Sequence, residues 1–136
     1  NRVPRVGMGT AMRAKMLQTD PQRTQIVEIV GRLDNAHAAS LTEHAEDALA
    51  HGRPHLIFDM SAVTFISSAG LRALVQIVKR AVAAGGSLTL MNPSEPVEKV
   101  LELVGLDTVF RITFDPQWNP LQPNATGIAR QTCVLA

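Results

Sequence analysis

Two adjacent hydroxyls, Ser67 and Ser68, stand where a hydrophobic run ends and an amphipathic helical pattern begins. The first turn of a helix leaves backbone N–H groups without intrahelical partners, and the aligned peptide dipoles make that end positive. A serine in this place can do one of two jobs. It can cap the helix by accepting from an amide one turn on, a job for which serine is among the best residues. It can also receive a phosphate, whose charge the same amides tolerate. The local sequence leaves both readings open.

Catalytic chemistry finds less support. A hydrolase nucleophile elbow needs Gly-x-Ser-x-Gly, but Ile66-Ser67-Ser68-Ala69-Gly70 lacks the first glycine. No Gly-Lys-Ser/Thr follows a glycine loop, so there is no P-loop, and Gly85-Gly86 reads as a helix stop. His37, His44 and His51 recur every seven residues. Seven residues span about 10 Å of helix rise, too far for two of these rings to share one metal ion. The single cysteine, Cys133, has no Cys/His set around it and reads as a bystander thiol. The expectation is a protein that is not an enzyme, with no catalytic residue, no cofactor and no metal.

Composition narrows the class further. The 136 residues fit one domain with a real core. The 13 basic residues nearly balance the 12 acidic ones, which argues against direct nucleic-acid binding. Arg2, Arg5, Arg13 and Lys15 crowd the N-terminus without interleaved aromatics and read as solvated, with residues 1–12 an irregular basic arm. No apolar run is long enough to span a membrane or to form a signal-peptide core, so no membrane insertion and a cytoplasmic location are expected.

The elements that would position the serines follow from periodicity. Lys15 to Gln18 suggests a first short strand, and Gln25 to Val30 is a β-branched strand ended by Gly31. A helix fits about Ala36 to Ala50, capped by Asp34 or Asn35. Leu56 to Met60 is a buried strand, followed by a connection and a helix from Ser68 to about Ala84. Ser87 to Met91 is a strand, and Pro96 sits in the first turn of a helix ended by Gly105. Val109 to Thr113 is a last short strand, and residues 115–136 read as a Pro-containing tail. Strands alternating with helices imply an α/β fold with a mixed, mostly parallel sheet. The first two strands are expected to form an N-terminal β-hairpin, with about three to four crossover or packing helices.

The ordered set of segments resembles the STAS family, found in bacterial anti-sigma factor antagonists and in the cytoplasmic tails of sulfate transporters. Gly31-Arg-Leu-Asp34 matches its Gly-x-Leu-Asp, and Phe58-Asp-Met-Ser-Ala-Val-Thr-Phe65 matches its Asp-Leu-Ser-x-Val-x-Phe segment. Ile66-Ser-Ser-Ala-Gly-Leu71 matches its Asp-Ser-Ser-Gly-Leu motif. The likeness covers roughly residues 13–114. It implies a STAS-like fold and an antagonist that binds an anti-sigma factor/serine kinase while unphosphorylated. Phosphorylation at the motif serine releases it, and a PP2C-type phosphatase reverses the modification. Alignment on Gly70-Leu71 puts the acceptor at Ser68, with Ser67 as rival because it stands where the family has aspartate. The resemblance also implies a partner-binding surface of Asp34, Ser67, Ser68, Ala69, Gly70 and Arg72. An alternative from the same family is a STAS regulatory module of a transporter or lipid-transport assembly. A third reading, a small-ligand or nucleotide sensor, has no motif of its own.

Overall fold

A computed structural model describes residues 21–116 and 128–135. After a short 3-10 turn, β1 runs over Thr24–Leu33. It is followed by α1 (Ala38–Ala50), β2 (His55–Ile66), α2 (Ser68–Ala83) and β3 (Ser87–Met91). Then come α3 (Glu95–Val104), β4 (Arg111–Thr113) and β5 (Ala129–Leu135). The five strands form one sheet in the order β4-β3-β2-β1-β5, and every pairing among the described residues is parallel.

Parallel neighbours need crossovers, and β1 through β4 step in one direction across the sheet. Right-handed crossovers then place all three helices on one face. Burial agrees with this. The larger apolar cluster joins Leu41 and Ala45 of α1, Leu74 and Ile77 of α2 and Val97 of α3 to alternate strand residues such as Phe58. The smaller cluster, Ile26, Ile57, Met91 and Ile128, lies on the opposite face and contains no helix residue.

One sequence expectation changes here, and another falls outside the described residues. The tail expected from Asp115 contains β5, which lies beside β1 from Gln25–Ala129 to Gly31–Leu135. Cys133 and Leu135 are buried in the larger core and alternate with exposed Val134, the pattern of a half-buried strand. The partner strand of the expected hairpin, Lys15 to Gln18, lies outside the described residues, and so does the basic arm. Within the described residues β1 has parallel neighbours on both sides.

The strand expected over Leu56 to Met60 continues to Ile66 because β2 carries two irregularities. Its register against β1 is unbroken from Thr24–His55 to Glu28–Asp59, then shifts between Glu28 and Val30 and again between Gly31 and Arg32. Side chains hold both shifts. Asp59 Oδ1 accepts from the Ser61 amide at 3.1 Å and from its hydroxyl at 2.8 Å. Further along, the Ser94 hydroxyl at the start of α3 donates to the Val63 carbonyl at 2.5 Å. Bulges of this kind bend a strand and re-aim its side chains. Here they deliver the end of β2 to the start of α2.

Candidate functional site

The site lies at the C-terminal edge of β1 and β2. The backbone N–H of Ser67 donates to the Leu33 carbonyl at 3.0 Å, extending the ladder past both strands. Ser67 then has extended geometry, φ −98° and ψ 174°, and caps α2. Its hydroxyl oxygen accepts from the Gly70 amide at 3.2 Å and its carbonyl from the Leu71 amide at 2.9 Å. The same hydroxyl lies 3.5 Å from the Leu33 carbonyl. Buried Ile66 and Leu71 flank this turn at the spacing of a hydrophobic staple.

Ser68 is the first residue of α2 and is exposed, and no hydrogen bond engages its hydroxyl among the described residues. Of the two serines, the structure thus gives the capping job to Ser67. Ser68 presents a free hydroxyl at the positive end of the helix. Aspartate is an equally good cap residue, so serine and aspartate are interchangeable for the helix at position 67.

Asp34 follows β1 directly, on the side of the site where Leu33 receives Ser67. Its Oδ1 accepts from the Ala36 amide at 3.1 Å and from His37 Nδ1 at 2.8 Å. Partial burial pushes the Asp34 carboxyl up. The His37 hydrogen bond and charge, together with the Ala36 and His37 amides, outweigh that and hold it below the ordinary value. Arg32 Nε stands 3.7 Å from the other carboxylate oxygen, and the Arg32 guanidinium lies 4.2 Å from the centre of the Phe65 ring. Phe65 itself is 38% exposed. A chain of contacts, Phe65–Arg32–Asp34–His37, thus borders the capped serine.

The remaining candidates separate by exposure. Arg72 is exposed four residues after Ser68, on the same helix face, and Ala69 is half-buried. Gly70 is buried. A Cβ there would lie 2.4 Å from the Leu33 carbonyl oxygen and 2.9 Å from Leu33 Cγ, so glycine is what lets α2 approach the end of β1. It shapes the site from beneath. Sequence reasoning missed Arg32, Phe65 and His37. Their signal was local: Arg32 lies within the Gly-x-Leu-Asp segment, and Phe65 is the aromatic beside the serine pair.

Other chemistry has no focus. His37, His44 and His51 each have a separate partner, in Asp34, Gln131 and the Asp47 carbonyl. No three His, Cys, Asp or Glu side chains among the described residues are placed to hold a metal ion. Burial pushes the Cys133 thiol up, against a smaller opposing effect of a hydrogen bond with Ser40. No helix among the described residues is long and apolar enough to cross a membrane.

Comparison with known proteins agrees with the geometry. A family model described as STAS domain matches residues 16–118. The anti-sigma-F factor antagonist RsfB of Mycobacterium tuberculosis is 33% identical over 100 residues, which cover 68% of this chain and 75% of RsfB. The solved structure of TM1081 from Thermotoga maritima is 29% identical and superposes with a TM-score of 0.59, covering 70% of this chain and 80% of that one. The phosphorylated form of the Bacillus cell fate determinant SpoIIAA, at 21% identity and TM-score 0.54, covers 70% of this chain and 86% of its own and shares the fold.

Proposed function

This chain belongs to the STAS domain family, and from that premise we propose that it is an anti-sigma factor antagonist switched by phosphorylation of Ser68. The partner is an anti-sigma factor that is also a serine kinase, and a PP2C-type phosphatase restores the binding form. The protein acts by occupying its partner, in the cytoplasm, and is not an enzyme. The similarity to RsfB supports the class of partner.

The observation that carries the choice of serine is the division of labour at the start of α2. Ser67 is held by the Gly70 amide and lies against Leu33, whereas Ser68 is exposed with its hydroxyl unengaged. A phosphate adds about −1.5 to −2 charge at neutral pH. On Ser68 that charge meets the helix dipole, worth about 0.3–1 kcal/mol, so the domain keeps its fold. A partner surface packed on Ser68 would have to desolvate the same charge, and about 1.4 kcal/mol is already a tenfold loss of affinity. Asp34, Ala69 and Arg72 complete the docking face, with Gly70 setting its shape.

The test uses the cognate anti-sigma factor kinase and ATP. Site-mapped mass spectrometry is expected to find one phosphate, on Ser68. Modification confined to Ser67, or none, overturns the assignment. In calorimetry Ser68→Asp is expected to bind the partner at least ~10-fold more weakly than Ser68→Ala, and equal affinities would reject the charge mechanism.

A further inference from the structure

The opposite edge of the sheet carries a second concentration of charge. His55 opens β2 and pairs in register with Thr24 on one side and Ser87 on the other. Leu56 and Leu88 point into the helix-side core, so His55 and Ser87 face the helix-free side. There, His55 Nδ1 lies 3.2 Å from the Ser87 hydroxyl. Arg111 opens β4 opposite Thr89, and its neighbour Ile112 packs on the helix-side core, so Arg111 shares the face with His55. Two strand spacings and two residues of rise separate the Arg111 and His55 backbones by about 12 Å, within reach of an arginine side chain directed inward. Arg23 immediately precedes Thr24, the register partner of His55.

Arg23 and Arg111 are exposed, and neither makes an ion pair among the described residues. Among the described residues, two acids on this face are committed elsewhere. Glu28 pairs with Arg130, and Asp59 holds Ser61. The imidazole registers the result. Burial first, then the charges of Arg23 and Arg111, push the His55 pKa below its ordinary value, and no carboxylate among the described residues offsets them. Arg23 precedes β1 and Arg111 opens β4, so the two cations flank His55 from the two sides of β2. Like charges on either side of one ring repel, and an anion entering between them relieves that repulsion.

We propose that Arg23, His55, Ser87 and Arg111 form a binding site for a phosphate group, at the end of the sheet opposite Ser68. A compact dianion suits this cluster better than a carboxylate, because one phosphate can meet both guanidinium groups while its remaining oxygens accept from the imidazole and the Ser87 hydroxyl. The phosphate can be free or can be carried on a nucleotide or a lipid headgroup. The site is independent of the serine switch and stands whether or not Ser68 is modified.

The test is an NMR titration of the full chain with inorganic phosphate against chloride at matched ionic strength, reading the His55 ring and the Ser87 and Arg111 amides. A saturable shift at these groups is expected, with an upward move of the His55 pKa in bound protein. Arg111→Gln and Arg23→Gln, checked for retained fold by circular dichroism, are each expected to weaken binding at least ~10-fold, about 1.4 kcal/mol. Without phosphate, each is expected to raise the His55 pKa. Parallel titrations with a nucleoside monophosphate and with vesicles containing anionic phospholipid identify the carrier by which one binds more tightly than phosphate itself. Absence of saturation with all three probes, or equal shifts in the arginine variants, overturns the site.

Discussion

The two edges of the sheet are built by different rules. At the N-terminal edge, β1 and β2 pair without a break from Thr24–His55 to Glu28–Asp59. At the C-terminal edge the same strands slip register twice before Leu33–Ile66. The regular edge is specified by apolar alternation alone, with Val27 and Phe58 on the helix side and Ile26 and Ile57 on the other. The irregular edge is specified by side chains that satisfy displaced backbone groups: Asp59 at the first bulge, Ser94 beside Val63 and Ser67 at the helix start. Departures from ladder geometry thus concentrate where side chains must be aimed outward, and the uninterrupted half serves as the scaffold.

Each edge also contains a glycine at a close approach, and substitution there should have the largest effects. A Cβ at Gly86 would lie 2.0 Å from the Pro54 carbonyl oxygen and 2.3 Å from its carbon, so Gly86→Ala is expected to cost ~3 kcal/mol or more in urea unfolding. Gly70→Ala meets the Leu33 carbonyl at 2.4 Å, but helix propensity returns up to about 1 kcal/mol, so a loss of ~2 kcal/mol is expected. The reverse order would show that the irregular edge is the less forgiving one.

Smaller effects sharpen the contrast within the serine pair. Ser67→Ala removes the cap and is expected to lower stability by about 1 kcal/mol, whereas Ser68→Ala should leave it nearly unchanged. Equal losses would mean that both hydroxyls hold the helix.

Both edges should also lose stability in acid, over different pH ranges. At the regular edge His55 has a folded pKa below 6.5, so the unfolded chain takes up the proton first as pH falls. Stability is therefore expected to decline as pH drops below 6.5 and to level off below the lowered folded value. His55→Asn should flatten that decline when unfolding is measured at about pH 8 and about pH 5. At the irregular edge Asp34 has a folded pKa below 3.8, so its contribution is present above 3.8 and lost as pH falls through the lower folded value. The smallest expected change is that of Asp34→Asn, a slight drop in melting temperature near neutrality that disappears in strong acid.

Most of the scaffold was legible in the sequence because periodicity records burial. The apolar spacing of α2 and α3, the Ser87–Met91 strand and the left-handed end of α3 at Gly105, φ 77°, are all local signals. The extension of β2 past Met60 was not legible, because Ser61, Ala62 and Thr64 look like a turn until Asp59 and the partner strand hold them. β5 was missed for a different reason. Arg130, Thr132 and Val134 alternate with buried Cys133 and Leu135, but only pairing with β1 makes that alternation a strand. At the site, the serine pair and Asp34 were readable from motif positions. The Arg32–Phe65 stacking was not, since the two residues become register partners only after the second bulge.

The pairing of β5 with β1 has a consequence for how the molecule assembles. Each β5 residue meets a β1 residue 104 positions earlier in the chain. Closing a loop of that length costs about 4 kcal/mol of chain entropy by length scaling alone, before any contact repays it. On the ribosome, β1 emerges early with β2 to follow, but its outer edge must wait for the last residues of this segment. During that interval none of the described residues covers this side of β1, and an open parallel edge is the kind of surface that recruits other extended chains. Fidelity of folding in this protein is therefore a matter of timing as well as of packing.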